Sequence, residues 1–225
     1  MTQVTAPPHG REWTARSPAI TGVRPWTCGH LACDESSVFA PIAIALCASL
    51  LPDDGAPAVV AMHSASVLVG MRAGAALLWP DYGPGGIREA PRHVREAFTR
   101  PPELRGDRSL LESDGDPWTV NVVGHALFGS EIYLRARQCG TGIGGAFAWA
   151  AGTSVLWEYG LEATVKRPSA IDLAWTPIVG GLLVGELRFA LHRWLGRGDP
   201  GAFRRAVRGV VDPLGTLERA AGTRC

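Results

Sequence analysis

Lysine is almost absent from this 225-residue chain: of 22 basic residues only Lys166 is lysine, and the rest are arginine. Genomic base composition imposes preferences of this kind, and no function is read from it. Charge of either sign is scarce, at 19% of residues against the roughly 25% usual in soluble domains. The net charge of +1 removes any global electrostatic case for a nucleic-acid partner. Cysteine is sparse and odd in number, with Cys28, Cys33, Cys47, Cys139 and Cys225 scattered along the chain, which is a poor disulfide framework. The stretch CGHLAC offers Cys28, His30 and Cys33, but the spacing is not that of a zinc knuckle and no second half follows. HExxH, a nucleophile elbow and CxxC are all missing, so the chemistries those motifs announce have no support.

Small and interfacial residues are plentiful instead: the chain has 28 glycines and 8 tryptophans. Few charges, much glycine and many tryptophans lean toward a bilayer, where small residues permit close helix contact and Trp anchors the interface. A soluble helical protein rich in alanine and glycine is the competing reading.

Along the chain, residues 1–35 are polar, contain proline and lack periodicity, which predicts a flexible leader. Residues 36–54 hold a short apolar run that reads either as the hydrophobic core of a secretory signal or as a short first helix. Residues 55–80 predict the first core helix, long enough to cross about 30 Å of hydrocarbon, with Trp79 and Pro80 at its exit. Arg72 would have to snorkel or meet a carboxylate there. Residues 81–117 are charged and rich in turn signals, predicting a polar irregular connector or lid with one short surface helix near 91–99. Residues 118–210 carry three further helices and a basic amphipathic tail, and 211–225 read as a flexible C-terminus. Pro177 is placed to kink the last of the three. Small residues recur at four-residue spacing at Gly144, Ala148 and Gly152 and again at Gly181 and Gly185, a pattern suited to helix contacts. The expected fold is all-α: a compact bundle of four to five helices centred near 60–78, 119–137, 142–164 and 171–195, without a sheet, membrane-embedded or membrane-associated.

Within these helices a few polar residues recur at helical spacing. Asn121 and His125 lie four apart, as do Glu158 and Glu162, and Asp172 and Glu186 bracket TPIVGGLLVG. Each four-apart pair shares one helical face. Such groups in apolar surroundings are costly unless paired, so they argue for a structural network or a site.

The segments NVVGHALFGSEIYLRAR, SVLWEYGLEATVKRPSAIDLAWTPIVGGLLVGE and VDPLG together resemble the bacterial family DUF3943 over roughly residues 115–215. The pattern picks out Asn121, His125, Gly129, Tyr133, Ala136, Arg137, Ser154, Trp157, Glu158, Tyr159 and Glu162. It continues through Pro168, Ser169, Asp172, Thr176, Pro177, Gly181, Gly185 and Glu186. Ala126 stands where the family usually has proline, and Ile132 replaces the first tyrosine of a pair, which removes one phenolic donor. The resemblance implies a membrane or envelope protein and names no reaction. A fainter likeness in pattern is to small membrane proteins of the VanZ and YfiM kinds.

The candidate catalytic residues are His125, Glu158, Glu162 and Asp172, since a carboxylate beside an imidazole orients it and raises its basicity. The same four residues could hold a divalent metal. Asn121, Tyr133, Arg137 and Glu186 complete the expected network or binding set. The leading expectation is a structural or lipid- and headgroup-binding bundle with membrane lipids, and other envelope proteins, as partners. The alternative is a metal-dependent or acid–base hydrolase or transferase acting on a lipid or envelope substrate. The expected location is the bacterial membrane or cell envelope.

Overall fold

The computed structural model describes residues 56–79, 82, 88–198, 201–223 and 225, all within one structural unit. The leader and the signal-like segment lie outside the described residues. Helix α1 spans Ala56–Leu78 and α2 spans Ala90–Thr99, the latter started by a proline in its first turn. A short 3-10 turn at Leu110–Glu112 precedes α3, residues 119–138. Helix α4 covers 143–164, α5 covers Ala170–Leu195, and two short helices, α6 (Ala202–Val211) and α7 (Pro213–Ala220), close the chain. An isolated parallel bridge joins Glu103 to Ser169, and the described residues contain no sheet.

The helix stops follow local chemistry. Gly140 takes a positive φ of 86° just beyond α3, which an L side chain resists. Pro168 prevents α4 and α5 from joining, and the Ser169 hydroxyl caps α5 by accepting the Asp172 N–H. Asp212 caps α7 by accepting the Gly215 N–H at 3.1 Å.

The all-α expectation holds, but its count does not: seven helices are present among the described residues, against the four to five expected. The additional ones are short. Helix α2 is the short surface helix expected near 91–99 inside the connector, and α6 and α7 form in the tail, where Asp212 and Pro213 end one helix and start the next. Among the described residues only α1 and α5 are long and apolar enough to cross a membrane, so the expected bundle is not uniformly built of such helices.

The pairing of α3 with α5 lies at the centre of the fold. A Cβ added at Gly129 would come within 2.0 Å of the Thr176 carbonyl oxygen, and one at Gly180 within 2.8 Å of the Ala126 carbonyl oxygen. These two glycines let the backbones touch. Gly185 faces the Tyr133 ring and Gly181 packs near it, whereas Gly144 and Gly152 meet nothing within 4 Å. The two glycines of the first small-residue stripe therefore mediate no close contact among the described residues.

Three stretches depart from α geometry toward the wider π-helix: Thr119–Gly124 at the start of α3, Leu156–Leu161 in α4 and Thr176–Gly185 in α5. The kink position Pro177 falls at the start of the third stretch. The i→i−5 pattern of a π-helix turns side chains away from their α-helical facing, and such stretches concentrate at functional sites.

Cys139, just beyond α3, forms a disulfide with Cys225 across a separation of 86 residues. Counting cysteines had argued against any framework; the pairing arises because the tail folds back to the end of α3. Among the described residues Arg72 pairs with no carboxylate. It donates to the Tyr82 carbonyl oxygen at 2.7 Å and stacks on the Tyr82 ring.

Candidate functional site

His125 heads the α-helical part of α3, Glu158 sits in the π stretch of α4, and Asp172 lies in the first turn of α5. Their donor atoms all lie within 4.8 Å of one another. Glu158 and Asp172 are 0% exposed and His125 is 4% exposed. The Ser169 N–H donates to Glu158 Oε2 at 2.7 Å, and the Ser169 hydroxyl accepts from the Asp172 N–H at 3.2 Å. The Pro168–Ser169 turn thereby fixes both carboxylates at once. His125 Nδ1 lies 2.9 Å from the Thr176 hydroxyl, and its Nε2 lies 3.6 Å from Asp172 Oδ2. Glu158 Oε1 and both Asp172 carboxylate oxygens have no hydrogen-bond partner. Burial, reinforced by the Glu162 charge, pushes the Glu158 carboxyl well above its ordinary range. Burial also pulls His125 down to about 4, despite the opposing pull of Glu162, so its imidazole is neutral near pH 7.

A second polar centre adjoins the first. Lys166 Nζ lies 2.7 Å from Asp114 Oδ2, 2.8 Å from Asp116 Oδ2 and 3.4 Å from Glu162 Oε1. The Tyr82 hydroxyl donates to Glu162, and the Asn121 amide donates to Asp114 Oδ1 at 2.7 Å. Burial alone would raise the Asp114 carboxyl, but the Lys166 ammonium and its hydrogen bond hold it down at about 2. Burial would likewise depress Lys166, and Glu162, Asp116 and Asp114 outweigh it and raise the ammonium.

The sequence-predicted residues thus divide into three groups. His125, Glu158 and Asp172 form one cluster, with Glu162 and Asn121 in the neighbouring lysine centre. Tyr133, Arg137 and Glu186 make a separate group, in which the Tyr133 hydroxyl donates to Glu186 at 2.8 Å and Arg137 pairs with Glu186 at 3.0 Å. Sequence reasoning missed Lys166, Tyr82, Asp114 and Asp116 as partners. The one available signal was the lone lysine in a chain that otherwise uses arginine.

A cavity of about 930 Å³ runs between α1 and α3. Its walls are mostly apolar, including Val67, Met71, Leu78, Val123, Leu127 and Phe128, with the tail residues Val211 and Leu214 on one side. Tyr82, Asp116, His125 and Glu162 reach its wall from the polar centres, and Glu131 and Arg188 from α3 and α5. Arg188 is held by Glu131, by the Ser130 hydroxyl at 2.6 Å and by the Val211 carbonyl oxygen.

Fold and site together define an all-helical protein whose polar and ionisable groups are gathered inside its helix contacts. Residues 111–214 match the family model of DUF3943, a domain of unknown function. No curated protein and no solved structure matches the chain, so the likeness to VanZ and YfiM proteins has no support.

Proposed function

We propose that this protein is a membrane-associated component of the bacterial envelope that binds a lipid or similar amphiphile in the cavity between α1 and α3. The observation that carries this reading is the pairing of an apolar cavity wall with ionisable groups at its margin. Sites of several hundred cubic ångströms with that division suit a molecule with an acyl body and a polar end.

The polarity of the whole fold supports a bilayer setting. Polar and ionisable side chains such as Glu158, Asp172, Asn121 and Ser130 are buried, while Leu77, Leu78, Ile178, Leu183, Leu187 and Trp194 are exposed. The last four lie on α5 and the first two end α1, the two helices long and apolar enough to cross a membrane. An exposed apolar surface on this scale is costly in water and suits acyl chains. The Cys139–Cys225 disulfide favours an oxidising compartment, as the envelope offers.

Hydrolysis ranks second. Thr176, His125 and Asp172 stand in the order of a nucleophile, base and carboxylate. The Thr176 hydroxyl, however, belongs to a side chain with 0% exposure and does not line the cavity. A nucleophile that no substrate reaches cannot serve as one.

Purification in mild detergent, followed by extraction and mass spectrometry, tests the binding reading. Gly74 lines the cavity and an added Cβ there meets nothing within 4 Å, so Gly74→Phe obstructs part of the cavity without a backbone clash. Wild-type protein is expected to carry lipid at close to one molecule per chain, and the variant to lose it while melting normally. Equal lipid content in the two proteins would refute the reading.

A further inference from the structure

We propose that His125, Glu158 and Asp172 bind one divalent cation at the edge of the lipid cavity. The proposal deepens the binding reading above by assigning an inorganic partner to the polar wall of the same site.

Among the described residues no lysine or arginine pairs with either of the two buried carboxylates, Glu158 and Asp172. Lys166, the one lysine of the chain, is committed to Asp114, Asp116 and Glu162. Three carboxylate oxygens are left without a hydrogen bond: one on Glu158 and both on Asp172. Fully buried, unpartnered carboxylate oxygens cost several kcal/mol each in ionised form unless a cation compensates them.

The distances suit ligation better than hydrogen bonding. His125 Nε2 and Asp172 Oδ2 are 3.6 Å apart, too long for a hydrogen bond. Two ligands bound tetrahedrally to one ion at about 2.1 Å each would stand roughly 3.4 Å apart. The donor atoms of all three residues lie within 4.8 Å of one another, so side-chain shifts of about an ångström bring them onto one ion.

The surroundings are arranged as a metal's outer shell would be. The Thr176 hydroxyl contacts Nδ1, which leaves Nε2 turned toward the carboxylates. The Ser169 N–H occupies Glu158 Oε2 and leaves Oε1 free. In metal sites such partners fix the histidine tautomer and aim the carboxylates. His125 is also part of the cavity wall, which provides the route by which an ion and a further ligand reach the centre. One imidazole with two carboxylates and no thiolate selects zinc, manganese or iron(II) over soft monovalent ions. Three protein ligands leave at least one position open.

The test uses full-length, tag-free protein purified in detergent without chelator. Elemental analysis is expected to find close to one zinc, manganese or iron per chain. After chelator treatment and removal, titration with Zn²⁺ or Mn²⁺ alone is expected to raise the melting temperature of the wild type. Glu158→Gln and Asp172→Asn keep the side-chain volumes, and each is expected to weaken binding by at least tenfold. If either variant does not fold, the wild-type stoichiometry and titration still decide the matter. Folded wild-type protein with no bound metal and no response to either ion would overturn the proposal, as would undiminished binding by a folded variant. Gly74→Phe separates this inference from the lipid reading, because it should empty the cavity of lipid and leave the metal content unchanged.

Discussion

Replacing Lys166 with methionine gives the sharpest test of how the polar interior is held together. The substitution keeps the length of the stem and removes the one ammonium shared by Asp114, Asp116 and Glu162. The Asp114 side chain is 0% exposed and that of Glu162 only 3%, so neither can turn to bulk water for compensation. Asp114 keeps its Asn121 and Asp116 N–H donors on Oδ1 but loses the Lys166 donor on Oδ2. Breaking a buried pair from one side costs about 3–5 kcal/mol. An independent bound agrees with this, because the stranded acid can escape by taking up a proton. At pH 7 that uptake costs about 4 kcal/mol for an ordinary aspartate, and at pH 5 about 1.5 kcal/mol. Lys166→Met is therefore expected to lower stability by about 3–5 kcal/mol at neutral pH, or about 6–20 °C in melting temperature for a chain of this size. At pH 5 the loss should shrink by half or more. Denaturant titration in detergent, followed by tryptophan fluorescence at both pH values, measures this directly. Adding Asp114→Asn to the variant removes the stranded charge and should restore about 2 kcal/mol or more. A loss below about 1 kcal/mol at pH 7, or one that does not change with pH, would refute the reasoning.

The acid limb of the wild-type stability curve should carry the same centre's signature with the opposite sign. Because the folded value for Asp114 is held at about 2, its contribution is fully present above the unfolded value near 4 and is lost as the pH falls through about 2. That loss should reach about 2 kcal/mol from this residue, and stepped-pH denaturation showing no decline in that window would contradict it. Gly129→Ala should destabilise by more than about 3 kcal/mol, because the new methyl meets the Thr176 backbone rather than a movable side chain. Gly144→Ala, facing open space on α4, should be neutral or slightly stabilising through helix propensity. Melting curves for the two alanine variants that coincide would argue against the close α3–α5 contact.

Much of the helical framework could be read from local sequence, because its signals are local. Apolar periodicity and the stops at Gly140 and Pro168 outline α3, α4 and α5, and Ser169 has the chemistry of a cap before α5 begins. The number of helices could not be read in the same way. The short surface helix expected near 91–99 is present as α2, whereas α6 and α7 are short segments amid turn residues and arginines, where propensity is weak and tertiary contact decides. The four-apart spacing of Glu158 and Glu162 indicated a shared face, yet the π stretch through Leu156–Leu161 and the 3-10 turn after it send them to different partners. Glu158 turns to His125 and Asp172, while Glu162 turns to Tyr82 and Lys166. Periodicity identifies which residues share a helical face but says nothing about what packs against it. Lys166 stands 52 positions from Asp114 and 50 from Asp116, and those aspartates look in sequence like ordinary turn residues. Only the packing of the connector against the end of α4 brings the three together. The sequence alone determined the helix-forming segments and the polar residues placed within them, through backbone propensity and side-chain period. The tertiary structure decided which of those residues compensate one another, because buried charge is paired through space and not along the chain.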